Sequence, residues 1–215
     1  MPDGRLFIGS KRYSSWSLRG WLAVRMAALD IEEVVIPLAG GATPAVKAAS
    51  PSGFVPYLEH AGARIWDSLA IAEYCAEAAP GLWPASRAAR AHARAVAAEM
   101  HGGFRELRLA MPYNACRRFP GRGRSEGALA DIARIDAAWA ECLAAHGGPF
   151  LFGAAFTLAD AFYAPVVGRF LTYGPELSPA SLAYMEAVRA HPLVAQWHDE
   201  AAAEPESWRI ARYEE

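Results

Sequence analysis

Nothing after Pro80-Gly81-Leu82-Trp83-Pro84 reads as a strand, and that break constrains the fold of this 215-residue chain more than any other feature. Two prolines and a glycine in five residues stop any regular element from running through. Beyond them, alanine-rich segments at roughly 86–115, 125–146, 157–173, 178–190 and 192–203 carry apolar residues at helical spacing, which predicts an all-α second domain. The first eighty residues have a different texture. Arg5 to Gly9 reads as a short strand, and Ser10 to Ser14 as a polar connection. Ser15 then opens a helix with Leu18, Leu22, Met26 and Leu29 three or four residues apart, and Glu32 to Leu38 is a β-branched run. Strand, helix, strand predicts a parallel pair with a right-handed crossover.

Gly40 to Gly53 is small and turn-rich, with room for one helical turn. Residues 56–66 add two strands around a tight Ala-Gly turn, and 68–79 a helix. The order βαβ then ββα is that of a thioredoxin-like domain. The expected division is therefore residues 1–80, a linker at 81–85, and a helical domain at 86–215.

Hydrophobic residues make up 53% of the chain and charged ones 20%, which sets disorder aside. A net charge of −2 gives no electrostatic case for nucleic acid or an anionic membrane. With no signal or transit peptide and no long uncharged apolar run, a soluble cytoplasmic protein is expected. Cys75, Cys116 and Cys142 are too scattered for a disulfide framework, a redox pair or a thiolate zinc site. Cys75 and Cys142 fall in helical patterns as small core residues. The histidines show no metal-ligand spacing, and His92, His191 and His198 are expected on exposed helical faces.

Residues 50–77 carry polar features that a plain scaffold does not need. Val55-Pro56 stands at the mouth of a strand, where proline removes a ladder donor and a cis bond costs little. A cis bond there leaves the N–H and C=O of Val55 free to pair with an extended peptide-like ligand. At Asp67-Ser68 a strand becomes a helix; Ser68 and the first helical amides can hold a ligand carboxylate, and Asp67 an ammonium. The same residues also serve as an ordinary turn and cap. In Tyr13-Ser14-Ser15-Trp16-Ser17-Leu18-Arg19 three hydroxyls crowd a helix start. One is needed as N-cap, Ser15 is the natural choice, and Ser14 is then spare.

This succession of serine-rich helix start, Val-Pro, Asp-Ser at a second helix and a proline-rich linker to a helical domain resembles the cytosolic glutathione transferases. The resemblance covers essentially the whole chain. Its pattern is similar to the serine-type branch, above all the zeta class, whose Ser-Ser-Cys-x-x-Arg matches Ser14-Ser15-Trp16-Ser17-Leu18-Arg19. It implies that Ser14 faces the glutathione sulfur, with Ser15 second. It also implies that Val55, beside a cis Pro56, pairs with the cysteinyl backbone, and that Asp67 and Ser68 hold the γ-glutamyl end. Trp16 stands where the zeta class has cysteine, and Asp67 where it has glutamine.

A free thiol titrates near 8.5, so holding it mostly ionised at neutral pH requires about 2.7 kcal/mol. A hydrogen bond to a charged acceptor contributes about 1.5 to 3 kcal/mol and a helix N-terminus about 0.3 to 1, so one serine at a helix start suffices without a metal. The resemblance thus implies a homodimeric transferase that binds and activates glutathione as co-substrate for attack on a small apolar electrophile. The alternatives are a glutathione-dependent isomerase like maleylacetoacetate isomerase, a peroxidase or reductase side activity, or a non-catalytic binding protein.

Further along, Met100, Phe104, Leu107 and Met111 form an apolar stripe on a long helix. Beside it run His101, Arg105 and Arg108, a solvated face or a border of the second-substrate pocket. Tyr113 and the run Arg117, Arg118, Arg122 and Arg124 read as a helix end and a mobile surface loop. Thr157 and Asp160 form a structural capping box. The tail from Glu204, with Trp208 and Tyr213, is too aromatic to stay solvated and is expected to pack back.

Overall fold

The computed structural model describes residues 2–215. Its first part is β1 (Gly4–Gly9), α1 (Ser15–Met26), β2 (Ile31–Ile36), α2 (Pro44–Ala49), β3 (Tyr57–His60), β4 (Ala63–Ile65) and α3 (Ser68–Ala78). The sheet order is β2-β1-β3-β4; β1 runs parallel to β2 and antiparallel to β3, with Phe7 opposite both Val34 and Tyr57. Successive side chains of β1 point to opposite faces. Leu6 and Ile8 join the main core with Leu18, Leu22 and Ile71, whereas Phe7 packs with Ile36, Tyr57 and Val46 beneath α2. This is the thioredoxin-like arrangement expected from the element order.

The remainder is helical: α4 (Arg87–Gly102), α5 (Arg105–Ala110), α6 (Glu126–His146), α7 (Leu158–Tyr173), α8 (Pro179–Ala190) and α9 (Pro192–Ala203), followed by two 3-10 turns. Among the described residues no helix is long and apolar enough to cross a membrane. α7 runs through the centre and is buried almost throughout. The capping box at its start forms as expected. Asp160, fully buried, accepts from the backbone of Leu151 and Thr157 and from the Thr157 hydroxyl.

Three expectations need correction. The helix expected at 86–115 is broken: α4 stops at Gly102, and Phe104 takes a left-handed φ of 57° before α5 begins. A side chain at Gly103 would meet the Glu99 carbonyl at 2.6 Å, so only glycine fits the break. The stripe Met100, Phe104, Leu107 and Met111 is buried nonetheless. Its polar companions go separate ways, since Arg105 is exposed and Arg108 folds back to bond the carbonyls of Gly103 and Met100 at the end of α4. Second, the Arg117–Arg124 loop is anchored: Phe119 and Gly121 donate to Thr172 and Tyr173 carbonyls, Arg117 to Glu214 and Arg124 to Gly174. Third, His198 is buried rather than exposed, 8% accessible, with Nδ1 on the Ala115 carbonyl.

The two parts share one core. Trp21 of α1 meets Trp197 of α9 with ring centroids 5.5 Å apart, and the Lys11 ammonium lies against both rings while pairing with Glu33 and Glu200. The turn before α1 is gripped from the helical side: Trp197 donates to the Lys11 carbonyl, Arg12 to that of Ala201, and Ala115 to that of Arg12. Glu204 accepts from the amides of Lys11 and Arg12.

Candidate active site

Ser14, not Ser15, caps α1, because its backbone is non-helical and its Oγ accepts from the Ser17 amide at 3.3 Å. The Ser14 hydroxyl donates onward to Ser17 Oγ at 2.7 Å, and Ser17 Oγ also accepts from the Gly9 amide. Ser14 is therefore not spare. Ser15 is bonded differently. Its Oγ accepts from Arg169 Nη2 at 3.2 Å and gives its own proton to no protein group among the described residues. Arg169, buried in the middle of α7, also donates to the carbonyls of Met111 and Pro165. Burial, then the like charge of Arg108, pulls the Arg169 pKa down to about 10, so it is still a cation at neutral pH.

Both serines line a groove of about 560 Å³ between the start of α1 and the α2 region, with Leu38, Thr43, Lys47 and Val55 on its other walls. Val55-Pro56 is cis as expected, and Val55 makes no backbone hydrogen bond among the described residues. A neighbouring hollow of about 420 Å³ runs past Phe54, Pro56 and Trp66 to Asp67. A third cleft, about 470 Å³, lies on the helical side of Ser15. Trp16 borders all three, 37% exposed.

Asp67 is the N-cap of α3, with Oδ1 accepting from the Leu69 amide and Oδ2 3.0 Å from His101 Nε2 on α4. Its side chain is still 54% exposed at the hollow. Burial holds the His101 pKa below the usual range, against the pull of Asp67. Ser68 is fully buried, and its hydroxyl has no partner among the described residues, so that side chain does not line the groove. Tyr13 lines the groove too, but its hydroxyl donates to Glu214 and accepts from the Ile210 amide. Burial and the Glu214 carboxylate push its pKa up to about 12. The tail is thereby packed back as expected, with Asn114 reaching the Tyr213 carbonyl.

Arg169 escapes a sequence reading; its only trace is a lone charge in the apolar run from Ala161 to Tyr173. Arg19 is legible as the arginine that closes the Ser14-to-Arg19 motif, but its surroundings are not. It is fully buried, none of its three side-chain nitrogens has a partner among the described residues, and it lies against the rings of Trp16 at 4.7 Å and Phe162 at 5.4 Å.

A family model described as glutathione S-transferase, N-terminal domain, matches residues 13–78, and one described as glutathione S-transferase, C-terminal domain, matches residues 88–200. The chain belongs to the glutathione S-transferase family. Solved glutathione transferases share its fold. A glutathione transferase homolog from Burkholderia gl BGR1 with bound glutathione is 24% identical, with a TM-score of 0.72 over 95% of this chain and 100% of that one. Maleyl pyruvate isomerase, a bacterial glutathione S-transferase in the zeta class, is also 24% identical, with a TM-score of 0.70 over 94% and 99%. Maleylacetoacetate isomerase from Anaeromyxobacter dehalogenans is 26% identical, with a TM-score of 0.69 over 98% of each chain. Comparison of the sequence with curated proteins gives no match.

Proposed function

We propose that this glutathione S-transferase family member binds glutathione in the groove at the start of α1, lowers its thiol pKa, and presents the thiolate to a small electrophile in the cleft beyond Ser15. The observation that carries the reading is the hydroxyl pair at the α1 N-terminus, opening on a groove whose opposite wall offers the unpaired backbone of Val55. Ser15 is the better donor to the sulfur, since its acceptor side is loaded by a buried cation and its proton is uncommitted. Ser14 holds the turn that aims it. Val55 beside Pro56 pairs with the cysteinyl backbone. Asp67 meets the γ-glutamyl ammonium, and the backbone amide of Ser68, rather than its buried hydroxyl, meets the γ-glutamyl carboxylate. In this reading residues 1–80 bind glutathione, residues 86–215 supply the second-substrate cleft, and the protein is a cytoplasmic homodimer.

An ultraviolet difference titration of glutathione with the purified protein tests it. Thiolate absorbance that persists at pH 7 is expected. Bound glutathione titrating like free glutathione would leave a holder without activation. A second reading, glutathione-dependent isomerisation, is favoured by the likeness to the two isomerases and by the arginines around Ser15. Trp16 in place of the zeta-class cysteine weighs against it.

A further inference from the structure

The cleft on the helical side of Ser15 is lined by three guanidinium groups, Arg108, Arg169 and Arg212, and by no carboxylate. Among the described residues, Arg108 Nη1 is buried with no partner, and so is the hydroxyl of Tyr113, another lining residue. Behind Trp16 stands a fourth cation, Arg19, fully buried and unpaired. The acidic groups nearest this cluster are already engaged. Asp67 faces His101 and caps α3, Asp131 accepts from the Leu107 amide, and Glu214 is held by Tyr13, Asn114 and Arg117. Arg19 and Arg169 are buried and, like half-buried Arg108, form no ion pair among the described residues, so the cluster leaves a positive potential in the cleft, which an incoming anion relieves.

We propose that this cleft takes an aromatic or conjugated electrophile that carries a carboxylate. Arg108 and Arg212 hold the anionic end, and the flat body lies along Trp16. The reactive carbon then faces Ser15, which rests on the reading that Ser15 meets the glutathione sulfur. Arg108 brings an unspent donor, and Arg212, exposed on the last 3-10 turn, lines the cleft from beside Tyr213, whose hydroxyl accepts from its Nη2. The guanidinium groups of Arg19 and Arg108 lie 4.7 and 5.0 Å from the Trp16 ring centre and hold it in place, and the part of the ring that stays exposed borders the cleft, where a flat body can lie along it.

The test uses two ligands that differ only in charge, 4-chloro-3-nitrobenzoate and 4-chloro-3-nitrobenzamide. Each is titrated into the full chain by quenching of tryptophan fluorescence, with and without S-methylglutathione, which fills the groove without reacting. The benzoate is expected to bind about tenfold or more tightly than the amide, as a charged hydrogen bond allows. That margin should fall toward unity in Arg108→Gln and in Arg212→Gln, the latter an exposed position whose loss does not threaten the fold. Equal binding of the two ligands, or a margin that survives both substitutions, overturns the proposal. A parallel thiolate titration separates it from the glutathione reading. Thiolate without a margin overturns this inference alone, and a margin without thiolate upholds the cationic cleft while the thiol reading falls.

Discussion

Replacing Ser15 with alanine is the sharpest test of how the thiol is activated. In the native protein the Ser15 Oγ accepts one bond from Arg169 and has a proton left to give. A hydrogen bond to a thiolate contributes about 1.5 to 3 kcal/mol, and each pKa unit is worth about 1.36, so its loss should raise the bound-thiol pKa by about one to two units. The helix N-terminus stays in place, so a residual depression of a few tenths of a unit should persist. The same substitution orphans Arg169 Nη2 and should cost about 1 to 3 kcal/mol of stability, which a urea titration would show. Ser14→Ala removes the cap instead, costing about 1 kcal/mol with a smaller change in the thiol pKa. The assay is the ultraviolet difference titration of bound glutathione with each variant. If Ser14→Ala raises the pKa by a unit or more and Ser15→Ala leaves it within a few tenths, the assignment made from hydrogen bonding is refuted.

Other consequences are open to measurement. Tyr13→Phe should leave the bound-thiol pKa unchanged, because that hydroxyl is spent on Glu214, but should speed amide exchange in the tail at Ile210; a raised thiol pKa would put Tyr13 in the chemistry. Asp160→Ala leaves the amides of Leu151 and Thr157 unsatisfied in the core and should cost about 2 to 4 kcal/mol in urea unfolding, with the thiol pKa unmoved. Stability should also fall on acidification. Burial holds His198 near a pKa of about 4, whereas the unfolded chain takes up its proton near 6.5, so between those values the unfolded state binds more protons. The stabilisation is complete above pH 6.5 and is lost toward pH 4, by roughly 3 kcal/mol. His198→Asn should flatten that part of the profile.

Much of the architecture is legible in the sequence because local signals and tertiary packing agree. The alternation of Leu6, Phe7 and Ile8 sends side chains to two different cores, and the Thr157/Asp160 box starts α7 where its spacing says it should. The break at Gly103 is harder, since two glycines inside an apolar stripe with unbroken helical period cost too little to end a helix by propensity alone. What ends it is the backbone just beyond: the Gly103 amide still bonds the Glu99 carbonyl, Phe104 then turns left-handed, and Arg108 folds back onto the carbonyls of Gly103 and Met100 that the break leaves free. At the site, Ser14, Ser15, Val55, Pro56 and Asp67 announce themselves by residue type, and the structure brings them around one groove and its adjoining hollow. Which serine still has a free proton depends on Arg169, more than 150 residues away in sequence, and no local pattern contains that contact. The same holds for Tyr13, whose partner lies at the opposite end of the chain.

The grip of the helical half on the turn before α1 bears on how such proteins diversify. The segment that aims Ser14 and Ser15 is fastened by Lys11, Arg12 and Ser15 to α9, Glu204, the segment after α5 and α7. A chimera joining this first half to a relative's helical half would keep every residue of the groove yet lose the anchors that set the hydroxyl's position. Such a chimera should fold and still hold glutathione poorly poised, unless Trp197, Glu200, Glu204 and Arg169 travelled with the graft. The two halves of this chain are therefore expected to work as a matched pair rather than as interchangeable modules.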